Sequence, residues 1–124
     1  MNMKIDSHHH LWAFNDTDYA WMSDAHAVIR RDFLSPELDA VLDESAIDGT
    51  VAVQARQIAG ETDFLLETAD ANPRIKGVVG WVPLCVNGGE PHLERYAAHP
   101  KLRGVRHVVH DEPDDDFILR PDFN

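Results

Sequence analysis

The stretch Ile5-Asp6-Ser7-His8-His9-His10-Leu11-Trp12 decides the interpretation of this sequence. Residues 3–7 are short and largely apolar, as the first strand of a sheet would be, and three histidines follow them directly. Because side chains alternate between the two faces of a strand, His8 and His10 point to one face and His9 to the other. The sequence therefore predicts two imidazoles that converge at the carboxyl end of strand one, with His9 packed and hydrogen-bonded behind it.

Helical and strand-like patterns alternate after this stretch. Ser35-Pro36-Glu37 has the composition of a helix start, with Ser35 as the N-cap. This first helix is predicted to run to about Ala46, with a buried stripe made of Leu38, Val41, Leu42 and Ala46. Further helices are predicted over 61–72 and from Gly88-Gly89-Glu90-Pro91 onward, and further strands over 50–55, 75–82 and 102–109.

This order of elements predicts an α/β fold in which four parallel strands are joined by three crossover helices. Strands that are almost continuously apolar need both of their faces covered, and a complete (β/α)8 barrel takes about 250 residues. The chain has 124 residues. We therefore expect the N-terminal half of a TIM barrel, with residues 1–124 as one unit that has no internal domain boundary.

The connection over residues 11–34 is unusually long and rich in aromatic and charged residues. Connections of this length in a compact fold are usually functional or form a packed loop. We interpret it as a lid over the strand ends.

Composition narrows the class of partner. With 22 acidic and 11 basic residues the formal net charge is −11, which disfavours binding to a phosphate backbone. No apolar run approaches the roughly 18 residues of a membrane helix. The single cysteine, Cys85, suits a reducing cytoplasm and is interpreted as an inert small apolar residue. A small-molecule ligand is the favoured partner, with no nucleic acid and no membrane.

Five motifs in order resemble one known family. They are Asp6-Ser7-His8-His9-His10-Leu11-Trp12, Val53-Gln54-Ala55, the segment 61–66, Gly77-Val78-Val79-Gly80-Trp81-Val82, and Gly104-Val105-Arg106-His107 with the acidic residues from Asp111. Together they resemble the amidohydrolase-2 branch of the amidohydrolase superfamily, which includes L-fuconolactonases and L-rhamnono-lactonases. The resemblance covers nearly the whole chain. One departure is Pro83, where close relatives are expected to carry an acid.

The resemblance implies hydrolysis of a lactone, usually of a sugar acid, by a metal- or base-activated water that attacks the ring carbonyl. It implies that His8 and His10 hold a divalent metal, with zinc the first choice, or help to hold the substrate carbonyl where metal is weak or absent. Two histidines are too few for a catalytic zinc, which usually has about three protein ligands. The further site histidines and the aspartate expected as general base lie beyond residue 124.

The last predicted strand adds two catalytic candidates, Arg106 and His107, of which strand alternation allows only one to face the barrel mouth. The sequence leaves open which one does. A guanidinium there can hold a carboxylate or polarise a carbonyl, and an imidazole can move a proton. An ion pair with a neighbouring acid such as Asp111 is the competing interpretation for each.

Gln54 and Trp81 are the candidate substrate-binding residues. Gln54 follows the second strand, where an amide can donate to substrate or cap a helix instead. Trp81 ends the third strand, and like Trp12 and Trp21 it can line a pocket or belong to the core. Glu61 is interpreted as a helix-starting residue that complements the helix dipole.

Two alternatives to a lactonase stay open at this point. A decarboxylase or carbon–carbon hydrolase of the same superfamily would share the motifs but release a different product. A non-catalytic half-barrel would expose the edges of its first and last strands and pair them with another copy. A homo-oligomer, or a missing C-terminal half, is therefore expected.

Overall fold

Four parallel strands form one sheet in the order β1-β2-β3-β4 in this computed structural model, which describes residues 2–85 and 89–124. The strands are β1 (Ile5–His9), β2 (Gly49–Val53), β3 (Ile75–Gly80) and β4 (Leu102–Val105). The connecting helices are α1 (Ser35–Ser45), α2 (Gly60–Ala71) and α3 (Gly89–Ala97). The predicted four parallel strands and three crossover helices are confirmed. The predicted opening of α3 at Gly88 lies outside the described residues.

The strand ends differ from the prediction. Strand β1 runs to His9 instead of residue 7, and its pairing with β2 shifts register between Asp6 and His9. The other three strands end earlier than predicted, at the last residues assigned to the ladder: Val53 in β2, Gly80 in β3 and Val105 in β4. In β4 the last pair is Gly80 with Val105, and a 3-10 turn follows at Val109–Asp111.

Helix α1 ends where it is predicted to end but has a different N-cap. Leu34 occupies the N-cap position instead of Ser35, and its backbone N–H donates to the Glu37 carboxylate at 2.9 Å. The helix ends where Ala46 adopts a left-handed conformation with φ of 51°. This geometry is uncommon for a residue with a Cβ atom.

The predicted apolar stripe of α1 is wrong at two positions. Leu42 is buried, but Val41 is 57% exposed and Ala46 is also exposed. Val41 lies beside a groove between α1 and β1, along the outer edge of β1. Since no further strand pairs with that edge among residues 2–85 and 89–124, only the inner side of α1 is covered.

The core lies where β2 and β3 meet α2. Leu65, Ala69, Ile75 and Val78 are fully buried there. Helix α2 approaches β3 so closely that Thr62 accepts a hydrogen bond from the Trp81 backbone N–H at 2.9 Å and donates to its carbonyl at 2.6 Å. Helix α2 is therefore fixed to the carboxyl end of β3.

The last residues form a short 3-10 turn, Phe117–Leu119, in which Phe117 is buried. Over the part of the chain that the structure describes, no helix combines the length and apolarity needed to cross a bilayer.

Gly80→Ala tests the close approach of α2 to β3. A Cβ atom at Gly80 would lie 2.6 Å from the Thr62 hydroxyl oxygen, whereas nothing lies within 4 Å of a Cβ at Gly104. We expect Gly80→Ala to lower the free energy of unfolding by about 1–3 kcal/mol, as overpacking does. Gly104→Ala, the strand control, should change it by less than about 1 kcal/mol. Urea unfolding measures both, and equal effects would contradict the packing described here.

Candidate active site

A cleft of about 410 Å³ lies at the carboxyl ends of the strands. Such a position is where parallel α/β barrels carry their chemistry. Polar, aromatic and aliphatic residues from four parts of the chain line it: His10, Trp12, Tyr19, Trp21, Met22, Ile29, Ala55, Arg106, Val108, His110 and Asp111. Of the metal-binding, catalytic and substrate-binding candidates predicted from sequence, His10 and Arg106 line this cleft.

His8 and His10 converge as the strand pattern predicts. Their Nε2 atoms lie 3.3 Å apart, and the ring planes meet at 85°. His8 belongs to β1, whereas His10 follows directly after the strand. The register shift in β1 does not separate the two rings.

The backbone of β2 fixes the tautomer of His10. The Val53 carbonyl lies 2.9 Å from His10 Nδ1, and since a carbonyl only accepts, Nδ1 carries the proton. Burial lowers the pKa of His10, with the nearby Arg106 charge acting in the same direction and the Val53 hydrogen bond opposing them. The neutral ring therefore directs its Nε2 lone pair at His8.

This pair suits a divalent metal. Two nitrogens bound to one tetrahedral zinc at about 2.0–2.1 Å lie about 3.3–3.4 Å apart, which matches the separation of the two Nε2 atoms. A metal-bound histidine also typically donates its other ring N–H to a carbonyl or carboxylate, as His10 does to Val53. No third His, Cys, Asp or Glu joins this pair among the described residues. His8 and His10 thus have the spacing of two metal ligands, and the described residues supply no third.

Gln54 and Arg106 form one unit beside the histidines. Gln54 Oε1 accepts hydrogen bonds from Arg106 Nε at 3.1 Å and Nη2 at 2.5 Å, and its backbone carbonyl accepts from Nη2 at 2.8 Å. Burial lowers the pKa of Arg106, but a guanidinium keeps its proton at neutral pH. The competing interpretation, an ion pair between Arg106 and Asp111, does not hold, because Arg106 bonds to the oxygens of Gln54 instead. Gln54 is fully buried and does not cap a helix.

His107 and Trp81 lie together outside the cleft. Trp81 Nε1–H donates to His107 Nδ1 at 3.2 Å, and His107 Nε2 lies 2.5 Å from the Glu112 carboxylate. The imidazole ring also stacks on Phe117. With both ring nitrogens engaged, His107 has none left for a substrate. Of the two candidates at the end of the last strand, Arg106 faces the cleft and His107 does not.

The connection over 11–34 supplies the aromatic wall of the cleft. Trp12 and Phe33 pair as an isolated antiparallel bridge that closes the connection on itself, and a 3-10 helix covers Asp24–Ile29. Tyr19 is buried, whereas Trp21 is 60% exposed although it lines the cleft. Trp12 and Trp21, not Trp81, are therefore the cleft tryptophans.

The structure reveals a buried ionic cluster that the sequence interpretation missed. The Glu61 carboxylate is fully buried and accepts from the backbone N–H groups of Ala55 and Arg56 at 2.7 and 2.6 Å. The Arg56 side chain contacts Glu61 at 3.1 Å and Asp18 at 2.9 Å. This cluster ties the aromatic connection to the loop after β2. The acid at the start of α2 does much more than complement the helix dipole.

Two further predictions concern single side chains. His9 faces away from the pair as expected, but its buried Nε2 atom has no hydrogen-bond partner among the described residues, so the hydrogen bond predicted behind the strand is absent. Desolvation lowers the pKa of His9, which favours the neutral ring. Cys85 is partly buried, and desolvation raises the pKa of its thiol, which keeps the reactive thiolate scarce.

Comparisons with known proteins identify relatives of this chain. The family model described as Amidohydrolase matches residues 5–122. The chain is 40% identical over 115 residues to an L-fucono-1,5-lactonase of Burkholderia multivorans, covering 90% of this chain and 38% of that protein. It is 34% identical over 121 residues to an L-fucono-1,5-lactonase of Burkholderia ambifaria, covering 98% of this chain and 42% of that protein.

A solved structure supports the same assignment of fold. It is an amidohydrolase from Burkholderia multivorans with bound zinc, 39% identical, with a TM-score of 0.89, covering 98% of this chain and 43% of that chain. The chain thus spans about two fifths of the length of the relatives it matches. The predicted partial TIM barrel is confirmed.

Glu61→Gln tests the buried cluster. Removing one partner of a buried ion pair costs about 3–5 kcal/mol, so we expect a loss of this size in the free energy of unfolding. Asp63→Asn is the matched control, because Asp63 pairs with Arg95 at the surface, where such pairs contribute about 0–1 kcal/mol. Chemical denaturation compares the two. A loss for Glu61→Gln no larger than for Asp63→Asn would show that the cluster does not hold the loop.

Proposed function

The chain belongs to the amidohydrolase family, and we propose that it provides the first part of the active site of a lactonase acting on a sugar-acid lactone. The observation that carries the proposal is the convergence of His8, His10 and Arg106 beside a cleft with an aromatic wall. The two relatives named as L-fucono-1,5-lactonases suggest the substrate class.

We assign distinct roles to the two walls of the cleft. Sugar-derived lactones have apolar C–H faces and polar edges, so the exposed indole of Trp21 can pack against a face. The guanidinium of Arg106 can hold the carbonyl oxygen of the ring ester as negative charge develops on it. Attack of water on that carbonyl breaks the ring C–O bond and yields a hydroxy acid, whose proton is lost to solvent or to a base.

His8 and His10 would hold a divalent cation, for which zinc is the first choice because it is bound to one structural relative. Such an ion, when bound, polarises a carbonyl and lowers the pKa of a coordinated water. His10 contributes its Nε2 lone pair because Val53 holds the proton on Nδ1. The remaining ligands and the general base are proposed to come from further chain or from a second copy.

A cytoplasmic location and a small-molecule lactone as partner complete the proposal. The single cysteine in the sequence, which has no second thiol in the chain to pair with, supports a reducing compartment.

Substitution of the histidine pair tests the proposal. We expect His10→Asn, in the protein expressed from its natural gene, to lower kcat/KM for L-fucono-1,5-lactone by more than about 100-fold. Loss of a residue that only supports a metal ligand costs up to about 100-fold, and loss of a ligand itself should cost more. Zinc affinity, measured by isothermal titration calorimetry, should fall in parallel. His99→Asn is the control because His99 pairs with Asp70 outside the cleft.

The products separate the competing enzyme classes. Acid release with no CO₂ supports a lactonase, and CO₂ release without lactone opening would replace it by a decarboxylase. Unchanged lactone hydrolysis in His10→Asn would remove the histidine pair from the mechanism.

A further inference from the structure

The guanidinium of Arg106 is held by neutral oxygen atoms. Its Nε and Nη2 atoms donate to the side-chain and backbone oxygens of Gln54, at distances of 2.5–3.1 Å. Within residues 2–85 and 89–124, no carboxylate forms an ion pair with it, whereas Arg56 has Asp18 and Glu61 as acidic partners. The charge of Arg106 is therefore left uncompensated at a cleft.

Gln54, a candidate substrate-binding residue, lies behind the cleft, because its side chain is completely buried. Its oxygen is shared by two nitrogens of Arg106, and its buried Nε2 atom has no hydrogen-bond partner among the described residues. What it does is fix the orientation of the guanidinium. With Nε and Nη2 occupied, the donors of Nη1 are the ones left for a ligand, because Nη1 makes no hydrogen bond within the described residues.

We propose that Gln54 is a positioning residue that turns the Nη1 edge of Arg106 towards the cleft and, by being neutral, leaves the guanidinium charge available to bind the carboxylate of the ring-opened product. An acid in the same place would hold Arg106 equally well but would neutralise it. This inference deepens the proposed function and rests on it for the identity of the carboxylate.

The chemistry of lactone opening explains why such a subsite matters. The lactone is neutral and the hydroxy acid is an anion, so an aligned guanidinium binds the product more strongly than the substrate. The same edge meets the oxyanion that develops on the carbonyl during attack. A site of this kind aids the reaction and is also inhibited by its own product.

The test is direct binding of L-fuconate to the protein expressed from its natural gene, treated with EDTA to remove metal, by isothermal titration calorimetry. We expect Gln54→Glu to weaken L-fuconate binding by at least about tenfold, because the new carboxylate competes for the guanidinium. Arg106→Gln gives the reference for complete loss of the subsite. Thermal unfolding of each variant separates lost binding from lost structure.

Gln57→Glu is the matched control. It places the same new charge three residues along the chain, where the Gln57 side-chain oxygen accepts from the Val108 backbone N–H at 2.6 Å and does not contact Arg106. We expect binding within about twofold of the wild type. Equal losses of L-fuconate affinity in Gln54→Glu and Gln57→Glu would show that any added negative charge weakens binding, and would overturn the inference. Wild-type affinity in Gln54→Glu would also overturn it.

A second variant covers failure of Gln54→Glu to fold. Gln54→Met keeps the shape but removes the acceptor, so L-fuconate binding should weaken by at least about threefold, and unchanged binding would overturn the inference. A wild-type protein that binds L-fuconate but does not open the lactone refutes only the proposed function. A wild-type protein that does not bind L-fuconate refutes the inference whatever its activity.

Discussion

The hydrogen bond from His10 Nδ1 to the Val53 carbonyl is the contact on which the site depends. It joins the end of β1 to the end of β2, so the parallel pairing of the two strands sets the position of the ring. It also fixes the proton on Nδ1 and leaves the Nε2 lone pair pointing at His8. Without this carbonyl the ring would be free to rotate or to change tautomer, and the 3.3 Å approach of the two Nε2 atoms would have no fixed geometry.

The remaining walls of the cleft are held by side-chain contacts of a different kind. Glu61 is buried at the start of α2 and holds Arg56, which in turn reaches Asp18 in the long connection. Gln54, the first residue after β2, holds the guanidinium of Arg106. The loop after β2 therefore fixes both the aromatic wall of the cleft and the position of Arg106. The carboxylate of Glu61 neutralises Arg56 and so fixes the long connection, whereas the neutral amide of Gln54 orients Arg106 without neutralising its charge.

Much of the fold is visible in the sequence because it depends on local pattern. Strand-like runs and helical spacing predicted the four strands and the three α-helices of the described residues, but not the 3-10 helix at Asp24–Ile29. The alternation rule also predicted that His8 and His10 converge. Element ends were less accurate, since they depend on where strand pairing stops. The stripe of α1 failed at Val41 because exposure there is decided by what covers the outer edge of β1, which no local pattern encodes.

The contacts between distant residues could not be predicted in the same way. Sequence alternation allowed Arg106 or His107 at the cleft, and the outcome depends on hydrogen bonds to Gln54 and to Trp81, which lie 52 and 26 residues away. Glu61 resembled an ordinary first-turn acid because its burial comes from the loop folding over it. The one available signal was Arg56 five residues before Glu61, a pair too common to identify a buried cluster from sequence alone.

The most direct test of the account is anomalous diffraction at the zinc edge from crystals of the protein, expressed from its natural gene and loaded with zinc. The account predicts an anomalous peak at about 2.0–2.1 Å from both His8 Nε2 and His10 Nε2, with His10 Nδ1 still bonded to Val53. A peak elsewhere in the molecule, or none near this pair at full zinc loading, would contradict the assignment of the two histidines as metal ligands.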